Sequence, residues 1–431
     1  MREVLTVSER FDGYLSQVDE QVRWARVRPA LRRELMGHLE EQRDACLAEG
    51  MDETSAEIEA VRQMGDPVLV GRQLDEVHRP RPQYAPLALA AVLAVCGMLI
   101  RINVNHTSSI RSLAGAGVGL VLMAALYFFD YRKLIRYAWW LYGGVVLASL
   151  ALEVYCALTG QSGIAVGGWR YSVYLTLLFP MAGALAACAL RGKRWGFWLA
   201  VLAYAPLCVF ACLAPSIIGL LLTVICGCVT LLYGIRQDWW PVHKTVARLL
   251  VMAGGGVTLG LFLAESLRRI EACTAAPTAG GYALYALRAA LDKAVLWGNG
   301  CADIGQRDPV YLAVGDDTTF LLTKVICTLG WIPFLLLCGV LCALLVLVGL
   351  RCVKRCHSAG GLLAMMAGLT IGGHFLLNVI ASCGLPLWDA HFPFVQGSLF
   401  TVIDLALLGV ALSVFRQAGC PEDAQQTPAR V

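Results

Sequence analysis

The chain changes pattern after about 83 residues. In residues 8–78 apolar positions recur at helical spacing among many charges. Phe11, Leu15, Val18 and Val22 fall on one helical face, and Leu31, Leu35, Leu39 and Leu47 on another. Ser8 is placed to cap the first helix, Pro29 to open the second and Gly50 to stop it. Thr54 and Glu57 have capping-box spacing for a third helix, which Gly65-Asp66-Pro67 ends before a final helical turn. From Pro86 onward the pattern becomes long apolar runs. A membrane crossing takes about 20 apolar residues, and ten stretches qualify: 86–102, 113–129, 138–159, 173–190, 196–213, 216–234, 246–266, 320–350, 361–383 and 396–415. Nothing in lipid satisfies loose backbone groups, so each is predicted helical. The predicted fold is all-α: a small soluble helical domain over 1–83, a ten-helix membrane body over 84–416 and a tail over 417–431.

Composition narrows the function classes. Apolar residues make up 58% of the chain and charged ones only 15%, against about 25% in an ordinary soluble domain. The first 83 residues hold twelve Arg, no Lys and seventeen Asp or Glu, a net of −5, while the remainder sums to +9. A single soluble enzyme, a disordered tail protein and a nucleic-acid binder are thereby excluded. The charged start does not have the form of a secretory signal. Most of the 17 cysteines, such as Cys96, Cys156, Cys226 and Cys338, sit in apolar runs as small hydrophobes. Cys352, Cys356 and His357 fall short of the four ligands of a zinc site, and no metal site is predicted. Cys273 and Cys301 share the one long outer loop and are placed to pair in an oxidising compartment.

Charge in the short loops sets an orientation. Arg132, Lys133 and Arg136, then Arg191, Lys193 and Arg194, then Arg236, Lys244 and Arg248, then Arg351, Lys354 and Arg355 occupy alternate connections. That side is predicted to be cytoplasmic, with both termini inside and residues 267–318 outside. Gly115, Gly117, Gly119 and Gly254-Gly255-Gly256 read as helix-packing positions. Trp139-Trp140 and Trp239-Trp240 read as interfacial aromatics. Glu153, Glu265 and Asp404 are in-span carboxylates, expected to face the bundle interior or a wet cavity. Midplane carboxylates also line carrier pathways, which keeps a transporter as one reading, although no inverted repeat is visible.

Two resemblances follow from motifs. Arg33-Glu34-Leu35, His38-Leu39-Glu40-Glu41, Glu49-Gly50-Met51-Asp52-Glu53 and Gly65-Asp66-Pro67 resemble the helical prefix domain found ahead of bacterial permease-like segments, implying a cytoplasmic regulatory or interaction module. His38 reads there as a surface histidine. In the body, Asn378-Val379, Gly384-Leu385-Pro386, Phe392-Pro393-Phe394 and Gly397-Ser398 resemble the carboxyl-terminal signature of the FtsW/RodA/SpoVE (SEDS) family. Thr318-Thr319-Phe320-Leu321-Leu322, Leu329-Gly330-Trp331, Gly281-Tyr282 and Trp297-Gly298-Asn299-Gly300 resemble the segments bounding that family's outer loop. Gly168-Trp169-Arg170, Phe179-Pro180 and Ala214-Pro215-Ser216 are fainter echoes.

The resemblance implies a bacterial plasma-membrane protein of cell-wall biogenesis in division, elongation or sporulation. Such proteins polymerise peptidoglycan from lipid II beside a class B penicillin-binding transpeptidase. The chemistry joins a sugar hydroxyl to the anomeric carbon of a second lipid-linked disaccharide as polyprenyl pyrophosphate departs. It calls for a carboxylate base at the outer face and cations, or a divalent metal, near the pyrophosphate. The family's outer-loop Asp aligns with Thr319, leaving Asp317 and Asp316 as the candidate bases. Trp169, Arg170, Arg268, Arg269, Asn378, Pro393 and Ser398 are the candidate substrate-binding residues. The alternatives are a non-catalytic relative that binds a lipid-linked precursor or a cell-wall synthase, and a transporter of such a precursor.

Overall fold

The computed structural model describes residues 4–25, 27–79, 82–104, 109–159, 165–166, 169–214, 216–275, 279–300, 321–353, 358–382 and 390–417. It divides into two compact units, one of Met1–Pro82 with Phe415–Val431 and one of Gln83–Val414.

Four helices build the head: α1 (Val4–Gln21), α2 (Arg28–Ala48), α3 (Glu53–Met64) and α4 (Pro67–His78). Helix α1 starts ahead of Ser8, so that residue lies inside the helix and is not its cap. Asp52 caps α3 by accepting the Ser55 N–H at 3.2 Å, so Thr54 lies inside the first turn and the expected Thr54–Glu57 pair is not the cap. Asp66 caps α4, which is a full helix instead of a single turn. Phe11, Tyr14, Leu15 and Val18 pack on Leu35, Leu39 and Ala60, as the helical stripe requires. Leu47 falls off that stripe and is exposed. Arg32 ties α2 to α1 through Asp12 at 2.7 Å and Asp19 at 3.2 Å. His38 is exposed, 3.7 Å from Glu41.

The membrane body comprises α5 (Tyr84–Asn103), α6 (Ser109–Phe128), α7 (Tyr131–Arg136), α8 (Ala138–Thr159), α9 (Tyr171–Thr176), α10 (Phe179–Ala189), α11 (Gly196–Leu213), α12 (Ile217–Arg236), α13 (Lys244–Ala275), α14 (Ala279–Asp292), α15 (Leu321–Leu329), α16 (Trp331–Val353), α17 (Ala359–Ser382) and α18 (Ser398–Arg416). A two-residue antiparallel pairing, β1 (Ala165–Val166) with β2 (Trp169–Arg170), precedes α9. Among the described residues nine helices are long and apolar enough to cross a membrane, with α10 a shorter apolar one. This is an all-α polytopic membrane protein.

Two of the expected spans are broken. Residues 173–190 split between Thr176 and Phe179, where Pro180 in the first turn of α10 has no N–H to give to a preceding turn. Residues 320–350 split at Gly330, whose φ of +97° is left-handed. Conversely, α13 runs past residue 266 to Ala275, and α14 adds a second helix within the stretch expected to be a loop.

Helix α18 is the central rod, with 72% of its apolar window buried, against 6% for α8. Small residues let its neighbours approach: a side chain at Gly115 would stand 2.4 Å from Ser398, and one at Gly119 2.7 Å from Leu405. Gly117, Gly254 and Gly256 meet nothing, so the packing reading holds for only part of the glycine runs. Trp239 and Trp240 are buried within the protein. Trp240 wedges against Gly196 and Gly234, and its indole N–H donates to the Leu190 carbonyl at 3.1 Å.

Candidate functional site

The sequence 391–397 must reverse direction between α17 and α18 inside an apolar bundle, so its backbone polar groups need partners there. Phe394 takes a φ of +65°, unusual for a bulky residue. Asp404, fully buried on α18, holds this turn by accepting the Phe394 N–H at 3.0 Å. His391 Nε2 is also hydrogen-bonded to both oxygens of this carboxylate, at 3.1 and 3.2 Å. Asn378 on α17 reaches the turn from the other side, donating Nδ2 to the Ala390 carbonyl at 2.7 Å and to Gln396 Oε1 at 3.3 Å. That same Oε1 accepts the Phe392 N–H at 2.8 Å.

Arg101, in the last turn of α5, completes the cluster. Its Nη1 donates to the Val395 carbonyl at 2.7 Å and to Thr401 Oγ1 at 3.2 Å, and Thr401 in turn donates to the Phe394 carbonyl at 2.9 Å. Gly97, one turn earlier, makes the approach possible, because a side chain there would meet the Phe394 carbonyl at 2.4 Å. The His391 ring stacks on Phe400 at 4.2 Å and lies 4.3 Å from the ring of His374 on α17.

Hydrogen bonding here is incomplete. Nine buried side-chain N or O atoms among the described residues have no partner, and five belong to this cluster: Arg101 Nε and Nη2, His374 Nδ1, His391 Nδ1 and Asn378 Oδ1. Buried polar groups left open in this way are met by water or by a ligand.

A second junction stands beside α5. The stretch leading out of α14 runs along the break between α15 and α16. Gly300 N–H donates to Cys327 O at 2.9 Å, Gly298 N–H to Leu329 O at 3.0 Å, and Trp331 N–H to Val295 O at 3.0 Å. Gly330 is required at the crossing, since a side chain would stand 2.7 Å from Leu296 O. An apolar cavity of ≈ 340 Å³ lies next to it. Val92, Leu93, Cys96, Leu99 and Ile100 of α5 line one wall, Val325 and Leu329 of α15 a second, and Pro333, Leu336, Leu337 and Val340 of α16 the third.

Neither a family model nor a curated protein sequence matches the chain. Solved structures do match. The crystal structure of Thermus thermophilus rod shape determining protein RodA aligns with 79% of this chain and 98% of its own, at 17% identity and a TM-score of 0.53. A structure of a peptidoglycan synthase complex, described as coordinating polymerization and crosslinking, aligns with 78% of this chain and 97% of its own, at 18% identity and a TM-score of 0.56. The chain has the RodA fold.

Within that fold the motif residues converge in part. Asn378, Pro393 and Asp404 are buried together in the polar cluster, and Ser398, half-buried, heads α18 beside it. Trp297-Gly298-Asn299-Gly300 and Leu329-Gly330-Trp331 meet at the second junction. Other expectations fail. Glu265 is not an interior carboxylate: its side chain is 40% exposed and pairs at 3.3 Å with Arg268, itself 80% exposed, because α13 extends beyond the apolar run. Glu153 is only half-buried on α8, outside the cluster. Asp316, Asp317, Thr319 and Cys301 lie outside the described residues, as do the side chains of Trp169, Arg170, Arg269 and Cys273. No group of three His, Cys, Asp or Glu among the described residues is arranged to hold a metal ion.

Sequence reasoning missed Arg101, His374, His391, Gln396 and Thr401. Arg101 carried a usable signal, as a charge inside the stretch 86–102. The histidines carried none, since one His in an apolar context has no signature until its partner is known.

Proposed function

We propose that this protein is a plasma-membrane component of bacterial cell-wall biogenesis that binds a polyprenyl-pyrophosphate-linked saccharide of the lipid II class. The observation that carries this reading is the cluster at the α17–α18 turn, where Asn378 and Pro393 of the SEDS-like signature meet Arg101 and Asp404 on a RodA-type bundle. The basic short loops support an orientation with both termini cytoplasmic. The likeness to a chain of a peptidoglycan synthase complex supports a class B penicillin-binding transpeptidase as partner.

In the catalytic form of this reading, Asp317 or Asp316 takes the proton from the attacking sugar hydroxyl. A new glycosidic C–O bond forms at the anomeric carbon of the second disaccharide as its bond to pyrophosphate breaks. Arg170, Arg268 and Arg269 are the candidate cations for the departing anion. The test is lipid II polymerisation by the purified full-length protein, with and without the transpeptidase. Glycan product that disappears in the double variant Asp316→Ala/Asp317→Ala supports catalysis, and undiminished product in that variant removes the assignment.

A specific observation favours a second reading. Thr319, which cannot act as a carboxylate base, stands where the family's outer-loop Asp aligns. In that case the protein binds the lipid-linked precursor or a synthase without turning it over, and the same assay gives binding without glycan in every variant.

A further inference from the structure

Arg101 is 2% exposed and sits one turn from the end of a membrane-spanning helix. Its Nη1 bonds account for part of its donor capacity, while Nε and Nη2 meet no acceptor. No carboxylate among the described residues pairs with it. A buried cation without a counter-charge is strongly unfavourable, and in a membrane segment it marks a binding or transport position.

The surroundings indicate the sign and shape of what belongs there. Thr401, which Arg101 touches, lies in the first turn of α18, where the leading backbone N–H groups have no intrahelical acceptor and the helix dipole is positive. Ser112, in the first turn of α6, is fully buried with its hydroxyl unpartnered. It stands one turn ahead of Gly115, which lies against Ser398 at the start of α18. A guanidinium whose Nε and Nη2 donors are open, a hydroxyl and a helix N-terminus together suit a phosphate-type anion. Alongside, the apolar cavity follows α5 from Val92 to Ile100 and so ends at the level of Arg101.

We infer that Arg101, Ser112 and the first turn of α18 form the pyrophosphate-binding site for a prenyl-linked ligand whose hydrocarbon chain lies in the cavity between α5, α15 and α16. This deepens the ligand class proposed above and rests on it. The ligand would then supply the acceptors that Nε and Nη2 lack in the protein itself.

The test is a binding titration on the full chain in nanodiscs, using farnesyl pyrophosphate, farnesol, inorganic pyrophosphate and phosphatidylglycerol as separate probes. Farnesyl pyrophosphate is expected to bind more tightly than either farnesol or inorganic pyrophosphate, since each of those lacks one half of the ligand. Arg101→Gln is expected to weaken it by about 10- to 100-fold, the size of two charge-assisted hydrogen bonds. Arg101→Lys, which keeps the charge and loses the fork, should fall between. Ser112→Ala removes an unpartnered hydroxyl and should leave thermal unfolding unchanged while weakening farnesyl pyrophosphate by about threefold. This variant decides the matter if Arg101→Gln does not fold. Equal affinity for farnesyl pyrophosphate and farnesol, or wild-type affinity in both Arg101→Lys and Ser112→Ala, overturns the inference. Competition by phosphatidylglycerol as strong as that by farnesyl pyrophosphate assigns the site to an ordinary membrane lipid and also overturns it. Lipid II binding that survives Arg101→Gln unchanged refutes this site and leaves the proposed function standing, whereas absence of lipid II binding by the wild type refutes that function.

Discussion

His391 donates through Nε2 to Asp404 in a part of the bundle where both side chains are 0% exposed. The carboxylate also holds the Phe394 N–H, so one residue of α18 fixes both the left-handed turn and the ring stacked on Phe400. Removing one member of a buried pair leaves the other without compensation, at about 3–5 kcal/mol. Asp404→Leu is therefore expected to lower thermal stability sharply in detergent. The double variant Asp404→Leu/His391→Phe should lose less than the sum of its two single variants. Additive losses in that cycle would mean that the two side chains are not coupled.

The break at Gly330 depends on a backbone conformation and on space. Its φ is +97°, and Leu296 O stands 2.7 Å from where a side chain would begin. Gly330→Val is expected to destabilise by about 1–3 kcal/mol and to loosen the pairing of residues 295–300 with 327–332. Faster hydrogen exchange at the Gly298 and Gly300 amides, with the amides of α18 unaffected, is the predicted signature.

A side chain at Gly97 would collide with the Phe394 carbonyl at 2.4 Å and with Val395 Cα at 2.7 Å. Both atoms are backbone and cannot turn aside. Gly97→Val should push α5 off the 394–401 segment and break the Arg101 bond to Val395. Crosslinking between cysteines placed on α5 and on that segment measures the separation. Unchanged crosslinking yield would contradict this packing.

How much of this could be read in the chain depended on which interactions decide each feature. The spans at α5, α6 and α8 were legible because a long apolar run has no other stable state in lipid. The break at Gly330 was not, because an apolar run looks continuous until Leu296 is known to approach it. Asn378, Pro393 and Asp404 were legible from motif or from charge within a span. Arg101 was legible only as a charge within an apolar run, because its inward turn depends on Val395 and Thr401, far away in the chain. Glu265 misled for the opposite reason: it looked interior, but α13 continues beyond it and supplies Arg268 one turn on. In the head, Thr54 and Glu57 had the spacing of a capping box, but Asp52 caps the helix two residues earlier.

Acid should loosen the third helix of the head. The Ser55 hydroxyl and amide hold the Asp52 carboxyl below its ordinary value, and Arg62, followed by Gln63, does the same for Glu59. A depressed carboxylate contributes stability above its unfolded value and loses it as pH falls through the folded one. Stability of α3 is therefore predicted to be flat from neutral pH to about 5 and to fall below about 4. Hydrogen exchange at Ser55 across that range reports it. Asp52→Asn should retain the cap and remove most of the pH dependence near Ser55.

The most direct test is a titration of the purified full-length protein in nanodiscs with fluorescent lipid II. Saturable binding that drops at least about tenfold in Asn378→Ala, which removes the side chain donating to Ala390 and Gln396, is the predicted result. Binding that does not saturate, or that is the same in wild type and Asn378→Ala, would contradict the account.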